Sequence, residues 1–261
     1  MKPTNLVLLF AVAMLVVGSG TANAAIVAQY SFEDNLLDSA PGGTVDDDLT
    51  YVKDGSASTV AQYVTGVVGK AGTFDGNLFS ALDSVDLGLN DNTWTIEAFI
   101  SATSVGGFNR LVLKWDTAPY EYHVTLRDGD FDLFDSSVTE VFKANTTPAT
   151  DFTDGDWHHV AVTSSAAGAE AWIDGTSVWT GDAVTLVESD NLLGLGNSGG
   201  GAGSSRYLGL MDEVLIHDSA VDQTYIDGRV GLIPEPSSMA LAALGFLCLG
   251  WYFRCRHGRS R

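Results

Sequence analysis

The carboxylates that could carry out acid–base chemistry lie singly along this sequence. Retaining glycosidases need two carboxylates about 5 Å apart, but Glu97 stands alone in its predicted strand. Glu213 is followed only by Asp218, and a spacing of five residues places these two side chains on opposite faces of an extended strand. The sequence therefore shows no carboxylate pair of the kind that glycoside hydrolysis requires.

The histidines show no catalytic partner either. His158 and His159 are adjacent in a predicted strand, so their side chains point to opposite faces and cannot share a metal ion. We expect one of them to be buried and hydrogen-bonded and the other to be exposed. His123 and His217 also lack an evident partner, and no nucleophile elbow, zinc-binding His-Glu-x-x-His or phosphate loop occurs. The sequence therefore predicts a protein that is not an enzyme.

The aromatic residues offer a different chemistry, the stacking of rings on a ligand. Trp115, Tyr120, Tyr122 and Trp179 are the candidate ligand-binding residues, because the first three bracket a loop that contains Pro119. The alternative is that these rings only cap the ends of a sandwich. The remaining tryptophans of the domain are expected in the core: Trp94, Trp157 and Trp172.

No metal ligands are assigned from the sequence. The densest run of carboxylates is Asp46-Asp47-Asp48, and a second run is Glu33-Asp34-Asn35. Hard cations such as Ca²⁺ prefer several oxygen ligands, so Ca²⁺ stays open as a cofactor, with a solvated loop as the alternative. In the late strand, Asp212-Glu213 is expected to have a structural role, one carboxylate holding a neighbouring backbone or an ion and the other facing water.

The elements that must position these residues are predicted to be β-strands throughout. Short alternating runs are separated by Gly, Asp, Asn, Ser and Thr, which is typical of two packed antiparallel sheets. In 93–101, Trp94, Ile96, Ala98 and Ile100 share one face. The predicted strands are 26–32, 72–76, 84–87, 93–101, 110–115, 121–127, 130–134, 157–164, 170–173, 176–180, 191–196 and 208–216. One helix is predicted at 220–229, with Asp218 or Ser219 as its N-cap.

Both ends of the chain carry export signals. Lys2, an apolar run over 6–17 and Ala22-Asn23-Ala24 predict a signal peptide at 1–24, cut before Ala25. The last 28 residues, 234–261, contain Pro234-Glu235-Pro236, a 15-residue uncharged run over 239–253, and a basic cluster with Arg254 and Arg256. Such a run predicts a short membrane helix whose arginines lie on the cytoplasmic side.

The remaining 25–233 are predicted to form one domain with a strongly acidic surface. It contains eight basic and 32 acidic residues, so its net charge is −24. Such a surface repels nucleic acid and anionic lipid, so neither is expected as a partner. Both cysteines, Cys248 and Cys255, lie in the tail, so the domain is expected to have no disulfide.

Five segments of the domain occur in the order found in laminin-G-like domains of the concanavalin A-like superfamily. They are Ala28–Glu33, Gly69–Gly76, Thr93–Ile100, Asp154–Thr163 with Ala171–Gly175, and Gly209–His217. The resemblance implies an all-β jelly-roll sandwich. The resemblance also implies where catalytic residues would lie, because hydrolases of this superfamily carry their carboxylates on a Glu-x-Asp-x-x-Glu strand, and no such spacing occurs here. At the position where the similar pentraxins carry acidic calcium ligands, this chain has 197–200, which contain no carboxylate.

The tail is similar to PEP-CTERM sorting signals, which carry Pro-Glu-Pro, an apolar helix and a basic end. The matching residues are Pro234, Glu235, Pro236, Arg254 and Arg256. The resemblance implies processing by an exosortase-type membrane protease and delivery to the cell surface or extracellular matrix, with membrane anchoring before processing. A membrane anchor that is never cut is the alternative.

Together these resemblances imply an exported binding or adhesion protein, with polysaccharide as the expected ligand. The first alternative is a structural matrix component without a specific ligand. The second is a polysaccharide-active hydrolase, which would depend on Glu97 or Glu213.

Overall fold

The computed structural model describes residues 24–44, 47–53, 56–57, 60–89, 91–197 and 205–234. Within these ranges, sixteen β-strands form two eight-stranded antiparallel sheets, and one short helix follows the last strand. The strands are β1 (Ile26–Tyr30), β2 (Thr50–Lys53), β3 (Ser56–Ala57), β4 (Tyr63–Thr65), β5 (Lys70–Asp75), β6 (Leu78–Ala81), β7 (Trp94–Ala102), β8 (Phe108–Leu113), β9 (His123–Arg127), β10 (Asp130–Phe134), β11 (Glu140–Ala144), β12 (His158–Ser165), β13 (Gly168–Ile173), β14 (Thr176–Gly181), β15 (Leu193–Leu195) and β16 (Leu208–His217). The helix α1 is Gln223–Val230.

The two sheets have different strand orders. Sheet A runs β14-β13-β12-β7-β16-β5-β4, and β1 pairs with the far end of β16. Sheet B runs β11-β10-β9-β8-β15-β6-β2-β3. Neighbours in space are therefore often distant in sequence, as in a jelly roll. The predicted all-β, two-sheet antiparallel fold is confirmed.

The core lies between the sheets and follows the alternation of each strand. On β7, Trp94, Ile96, Ala98 and Ile100 are buried in this core, as the sequence predicts. The side chains that alternate with them point to the other face of sheet A, yet all nine residues of β7 are buried. A second layer must therefore cover that outer face of sheet A.

The second layer is α1 with the chain that leads into it. Val221 and Ile226 pack with Ala161 and Trp172 in a small cluster separate from the main core. The Asp222 side chain caps α1 by accepting a hydrogen bond from the Tyr225 N–H at 2.9 Å. The sequence prediction of Asp218 or Ser219 as N-cap was wrong, because the chain bends at these two residues and the helix begins only after Asp222.

Two hairpin turns in the structure follow the predicted turn chemistry. Asp128-Gly129 joins β9 to β10, and Asp174-Gly175 joins β13 to β14, with positive φ at all four residues. Positive φ at both central residues is the type I′ geometry, which Asp-Gly pairs favour because it matches the twist of the strands. These turns fix the register, and hence the face, of each side chain on β9 and β10.

Some elements and core residues were predicted at the wrong positions. The chain over 84–87 is mostly a turn, and the strand of that region is β6, at Leu78–Ala81. Trp157 is only half-buried, just before β12, and does not belong to the core. The short strands β2, β3 and β4 and the edge strand β11 were not predicted.

The predicted export segments fall mostly outside the described residues. The signal peptide, the apolar run at 239–253 and the residues Glu235, Pro236, Arg254 and Arg256 lie there, whereas Pro234 is the last described residue and is exposed. In the part of the chain that the structure does describe, no helix has the length and apolar character needed to cross a membrane.

Candidate functional site

A cluster of five rings lies on the outer face of sheet B, the face turned away from sheet A. We call it the aromatic patch, and its members are Phe108, Trp115, Tyr120, His123 and Phe134. His123 lies 5.9 Å from Phe108 and 5.7 Å from Phe134 between ring centroids, with nearly parallel planes. Three neighbouring strands, β8, β9 and β10, thus contribute one ring each to a continuous layer, in which the His123 ring is buried between the half-buried Phe108 and Phe134.

The loop after β8 adds the other two rings. Trp115 lies 5.5 Å from His123, and Tyr120 stacks on Trp115 at 4.5 Å with an interplanar angle of 17°. Both Trp115 and Tyr120 are partly exposed. The loop therefore extends the ring surface from the sheet to the rim of the sandwich.

A guanidinium lies across the patch. The Arg127 guanidinium carbon is 5.2 Å from the Phe108 ring centroid and 5.1 Å from that of Phe134. Arg127 Nε lies 2.6 Å from Asp132 Oδ2, and a second nitrogen of the same guanidinium contacts Glu140. The patch therefore combines ring faces with fixed hydrogen-bonding and charged groups.

The electrostatics of the patch follow from burial. Burial raises the pKa of the Asp132 carboxyl to about 7, although the charge of Arg127 acts to lower it. Burial, together with the positive charges of Arg110 and Arg127, lowers the pKa of His123 to about 3. The imidazole of His123 is therefore neutral at pH 7, and it contributes to the patch by stacking on Phe108 and Phe134.

Two of the four predicted ligand-binding residues, Trp115 and Tyr120, come together in the patch. Tyr122 does not, because it shares a face with Val124 and is 0% exposed in the core between the sheets. Its assignment as a surface residue was wrong. Trp179 lies half-buried on β14 of sheet A, stacked on Phe142 at 5.1 Å, apart from the patch.

Sequence reasoning missed Phe108, His123, Phe134 and Arg127 as site residues. The pattern that could have identified them is the alternation of inward-facing and outward-facing side chains along the predicted strands. On β9, His123 and Arg127 alternate with the buried Val124 and Leu126, so they must share the opposite face.

A buried ion pair supports the loops around the patch. Glu121 accepts hydrogen bonds from the Leu89 N–H at 2.6 Å and the Ser189 N–H at 3.1 Å. Lys114 Nζ lies 2.9 Å from Glu121 and 2.5 Å from Asp83. Burial raises the pKa of Glu121, although Lys114 acts against it. Three loops are thereby held to one carboxylate beside the loop that carries Trp115.

A second polar cluster lies on the outer face of sheet A beneath α1. We call it the Glu97 cluster, and its members are Glu97, His159, His217, Tyr225 and Arg229. Glu97, 1% exposed, accepts hydrogen bonds from His159 Nε2 at 2.7 Å and His217 Nε2 at 2.8 Å. It also accepts from Tyr225 Oη at 2.7 Å and Arg229 Nε at 3.0 Å.

The charge of Glu97 is strongly stabilised by these partners. Burial acts to raise its pKa, but the hydrogen bonds from His159 and His217 and the charge of Arg229 hold the pKa well below its usual range. Arg229 also stacks over the Phe99 ring at 4.8 Å and lies 3.6 Å from Glu213 Oε2. The cluster thus ties α1 to three strands of sheet A.

The expectation that Glu97, His159 and His217 have no evident partner was wrong, because their partners come from distant parts of the chain. The two adjacent histidines do point to opposite faces, as expected. However, both are buried, since His158 packs on Phe152 and lies 2.8 Å from Asp174 Oδ2. The expected exposure of one histidine was therefore wrong.

The Asp212-Glu213 pair fits its predicted structural role in part. Asp212 Oδ2 accepts a hydrogen bond from the Val68 N–H at 2.9 Å, so it holds a neighbouring backbone. Glu213 does not face water as expected, because it is buried beside Arg229 at a bulge in β16, with φ of 47°.

No metal ligands emerge from the acidic runs. Among the described residues, no group of three His, Cys, Asp or Glu side chains could hold a metal ion. Asp47 is buried and accepts from Ser84 Oγ at 2.8 Å, and burial raises its pKa to about 6. Asp46 lies outside the described residues, and Glu33 accepts the Lys70 N–H at 3.0 Å.

Comparison with known proteins identifies two segments of the chain. A family described as the concanavalin A-like lectin/glucanases superfamily, of laminin G type, matches 72–227, more than half of the 261 residues. The PEP-CTERM protein-sorting motif matches 232–256. No curated protein matches the chain.

Several solved structures share the fold at low sequence identity. Domain 4 of AbnA, a GH43 extracellular arabinanase from Geobacillus stearothermophilus, was solved with arabinotriose; it has a TM-score of 0.62 and 19% identity, with 81% of this chain and 99% of that domain covered. The binding domain of Paraclostridial Mosquitocidal Protein 1 has a TM-score of 0.60 and 13% identity, covering 79% and 52%. The botulinum neurotoxin serotype D ligand binding domain, solved with N-acetylneuraminic acid, has a TM-score of 0.56 and 11% identity, with 79% of this chain and 50% of that chain covered. The chain spans about half of these last two domains.

Proposed function

Since the chain belongs to the concanavalin A-like lectin/glucanase superfamily and carries a PEP-CTERM sorting motif, we propose that it is an exported surface protein that binds polysaccharide through the aromatic patch. The sorting motif indicates export and association with the cell surface. In the proposal, an exosortase-type enzyme processes the tail, and the domain acts in adhesion or matrix binding without catalysing a reaction.

The observation that carries the proposal is the composition and exposure of the aromatic patch. A pyranose or furanose ring has an apolar face that stacks on aromatic rings, and hydroxyls that bond to paired charged groups. Trp115 and Tyr120 supply partly exposed rings, and the partly exposed Arg127, which the buried Asp132 holds in place, supplies a charged hydrogen-bond donor. A polysaccharide could lie along such an open surface without needing a closed pocket.

The structural neighbours support a sugar ligand. Domain 4 of AbnA was solved with arabinotriose, and the serotype D toxin domain was solved with N-acetylneuraminic acid. Because their sequence identities are below 20%, they support the capacity of the fold to bind sugars, and the particular sugar has to come from this chain's own residues.

The absence of catalysis is part of the same proposal. Glu97 is enclosed by four hydrogen-bond donors and α1, and its low pKa removes the proton that a general acid must supply. Glu213 lies buried against the same Arg229. The carboxylates that a hydrolase would use are therefore engaged in holding the helix.

The test is binding of the purified exported protein to a panel of soluble polysaccharides, with Ca²⁺ and with a chelator. We expect binding that Trp115→Ala weakens by about tenfold or more, since a central tryptophan contributes on the order of 2 kcal/mol at interfaces. Trp179→Ala, which removes a half-buried ring on the other sheet, is the matched control and should leave binding within about twofold.

Other outcomes would identify the alternatives. A folded protein that binds no polysaccharide would refute the proposal and favour a structural matrix component. Binding that is lost with the chelator would place the ligand at a calcium site away from the patch. Release of reducing ends from any polymer, abolished by Glu97→Gln or Glu213→Gln, would show a hydrolase instead.

A further inference from the structure

The charged groups around the aromatic patch bear on which polysaccharides it can accept. Three of the domain's eight basic residues lie on or beside the patch: Arg110 on β8, Arg127 on β9, and Lys143 on the bordering strand β11. A cluster of cations on so acidic a domain could indicate an anionic ligand. The contacts of these three cations show whether any of them is available to an anionic ligand.

Each cation of the patch already has carboxylate neighbours. Arg127 lies between Asp132 and Glu140. Lys143 Nζ lies 3.6 Å from both Asp128 and Asp130.

Arg110 is in the same position. Burial lowers the pKa of Arg110, and the negative charge of Asp116 acts against this, so a carboxylate also offsets the charge of this guanidinium. Five carboxylates therefore lie around three cations. Asp132, with its pKa of about 7, is only partly ionised at pH 7, but the other four carboxylates still outnumber the cations, and the neutral imidazole of His123 adds no positive charge.

We infer that the patch recognises an uncharged polysaccharide and excludes polyuronates and other polyanionic glycans. The inference rests on the proposed function. A carboxylate on the ligand would approach cations that are already neutralised, and it would meet the excess negative charge of the patch within a few ångströms. At about 0.15 M salt the Debye length is roughly 8 Å, so charges at this range are only partly screened. An uncharged sugar meets no such repulsion and still stacks on the rings.

The experiment uses one polymer backbone with and without charge. The neutral polymer that binds best in the panel is converted to its carboxymethyl derivative, with the hydroxyethyl derivative as a control for added bulk. We expect carboxymethylation to weaken binding by about tenfold at 20 mM NaCl, and by less than about threefold at 0.5 M NaCl, because salt screens the repulsion. The hydroxyethyl derivative should bind with little dependence on salt.

A pair of charge variants tests whether the patch itself is the source of the repulsion. Asp130→Asn with Glu140→Gln removes two carboxylates from the patch, and it should raise affinity for the carboxymethyl polymer by about threefold or more at low salt. The control is Asp156→Asn with Glu170→Gln, which makes the same change of net charge away from the patch. Asp156 lies in the loop before β12, and Glu170 lies on β13 of sheet A. This control should change that affinity by less than about twofold.

The possible results separate the inference from the proposed function. Tighter binding of alginate or polygalacturonate than of every neutral polymer would overturn the inference and leave polysaccharide binding intact. Equal binding of the carboxymethyl and hydroxyethyl derivatives at low salt would overturn it as well. Failure of every polymer, neutral or anionic, to bind would refute the proposed function, and the inference with it.

Discussion

The two outer faces of the sandwich use similar residues for different ends. On sheet A, Arg229 stacks on Phe99 and contacts Glu97 and Glu213. On sheet B, Arg127 stacks on Phe108 and Phe134 and contacts two carboxylates as well. The first arrangement is covered by α1, whereas the second borders rings that remain partly exposed.

The difference between the faces lies in how many donors reach the buried carboxylate. Glu97 receives two imidazoles, a phenol and a guanidinium, and its pKa is held low. Asp132 has one guanidinium beside it, and burial raises its pKa to about 7. The fully surrounded Glu97 carboxylate fastens α1 in place, while the buried Asp132 holds only the guanidinium of Arg127 against the rings.

The largest expected effect comes from breaking the Glu97 cluster. Glu97→Gln should lower the free energy of unfolding by about 3–5 kcal/mol, because it removes the buried negative charge that pairs with Arg229 and replaces one of the two accepting oxygens by an amide NH₂ that cannot accept a hydrogen bond. Denaturant unfolding followed by tryptophan fluorescence measures this change. At a temperature where the variant stays folded, its polysaccharide binding should be unchanged, since α1 lies on the opposite side of the sandwich.

Glu170→Gln is the matched control for that experiment. Glu170 is a half-buried glutamate on β13 of the same sheet, and its substitution should cost no more than about 0.5 kcal/mol. A loss below about 1 kcal/mol for Glu97→Gln would show that the cluster does not fasten α1, and the contrast between the two faces would fail.

Acid should reproduce part of the same loss in the unchanged protein. Because the pKa of Glu97 is lower in the folded state than in the unfolded chain, its contribution is present above the unfolded value of about 4.3. The contribution is then lost as the pH falls below that value. Stability measured from pH 6 to pH 3 should therefore fall more steeply in the wild type than in Glu97→Gln, and parallel curves would contradict the prediction.

The fold could be predicted from the sequence because the alternation of apolar and polar residues is visible within each single strand. The strand over 93–101 matches β7 to within one residue, and its core-facing residues were correct. The edge strand β11 was missed because its burial pattern is irregular, and β3 has only two residues. Short edge strands take their structure from the neighbouring strand, and no pattern of their own marks them.

The sites were less accessible to sequence reasoning because their contacts are not local. The partners of Glu97 lie 62, 120, 128 and 132 residues away along the chain. By contrast, Trp115 and Tyr120 are close in sequence and were found together. The error at Tyr122 was avoidable, since it shares its face with Val124 and Leu126 on a strand whose alternation was visible.

A smaller effect is expected on the open face. Arg127→Gln should weaken polysaccharide binding by about tenfold, because it removes a charged donor and the stacking of the guanidinium over two rings. Its cost in stability should stay near 1 kcal/mol, since Asp132 can take up a proton when it loses its partner. Isothermal titration and denaturant unfolding separate the two effects. A large loss of stability with intact binding would make Arg127 equivalent to Arg229.

The smallest expected effect concerns His158, a buried histidine that lies outside both the Glu97 cluster and the aromatic patch. Burial acts to lower its pKa, but the carboxylates of Asp174 and Asp154 raise it above the usual value. A histidine whose pKa is raised on folding contributes stability that is complete below about pH 6.5 and is lost as the pH rises through the folded pKa. His158→Gln keeps a hydrogen-bond donor near Asp174 but cannot titrate, so the difference in stability between wild type and variant should shrink between pH 6 and pH 8. A pH-independent difference in stability between wild type and His158→Gln would contradict the prediction.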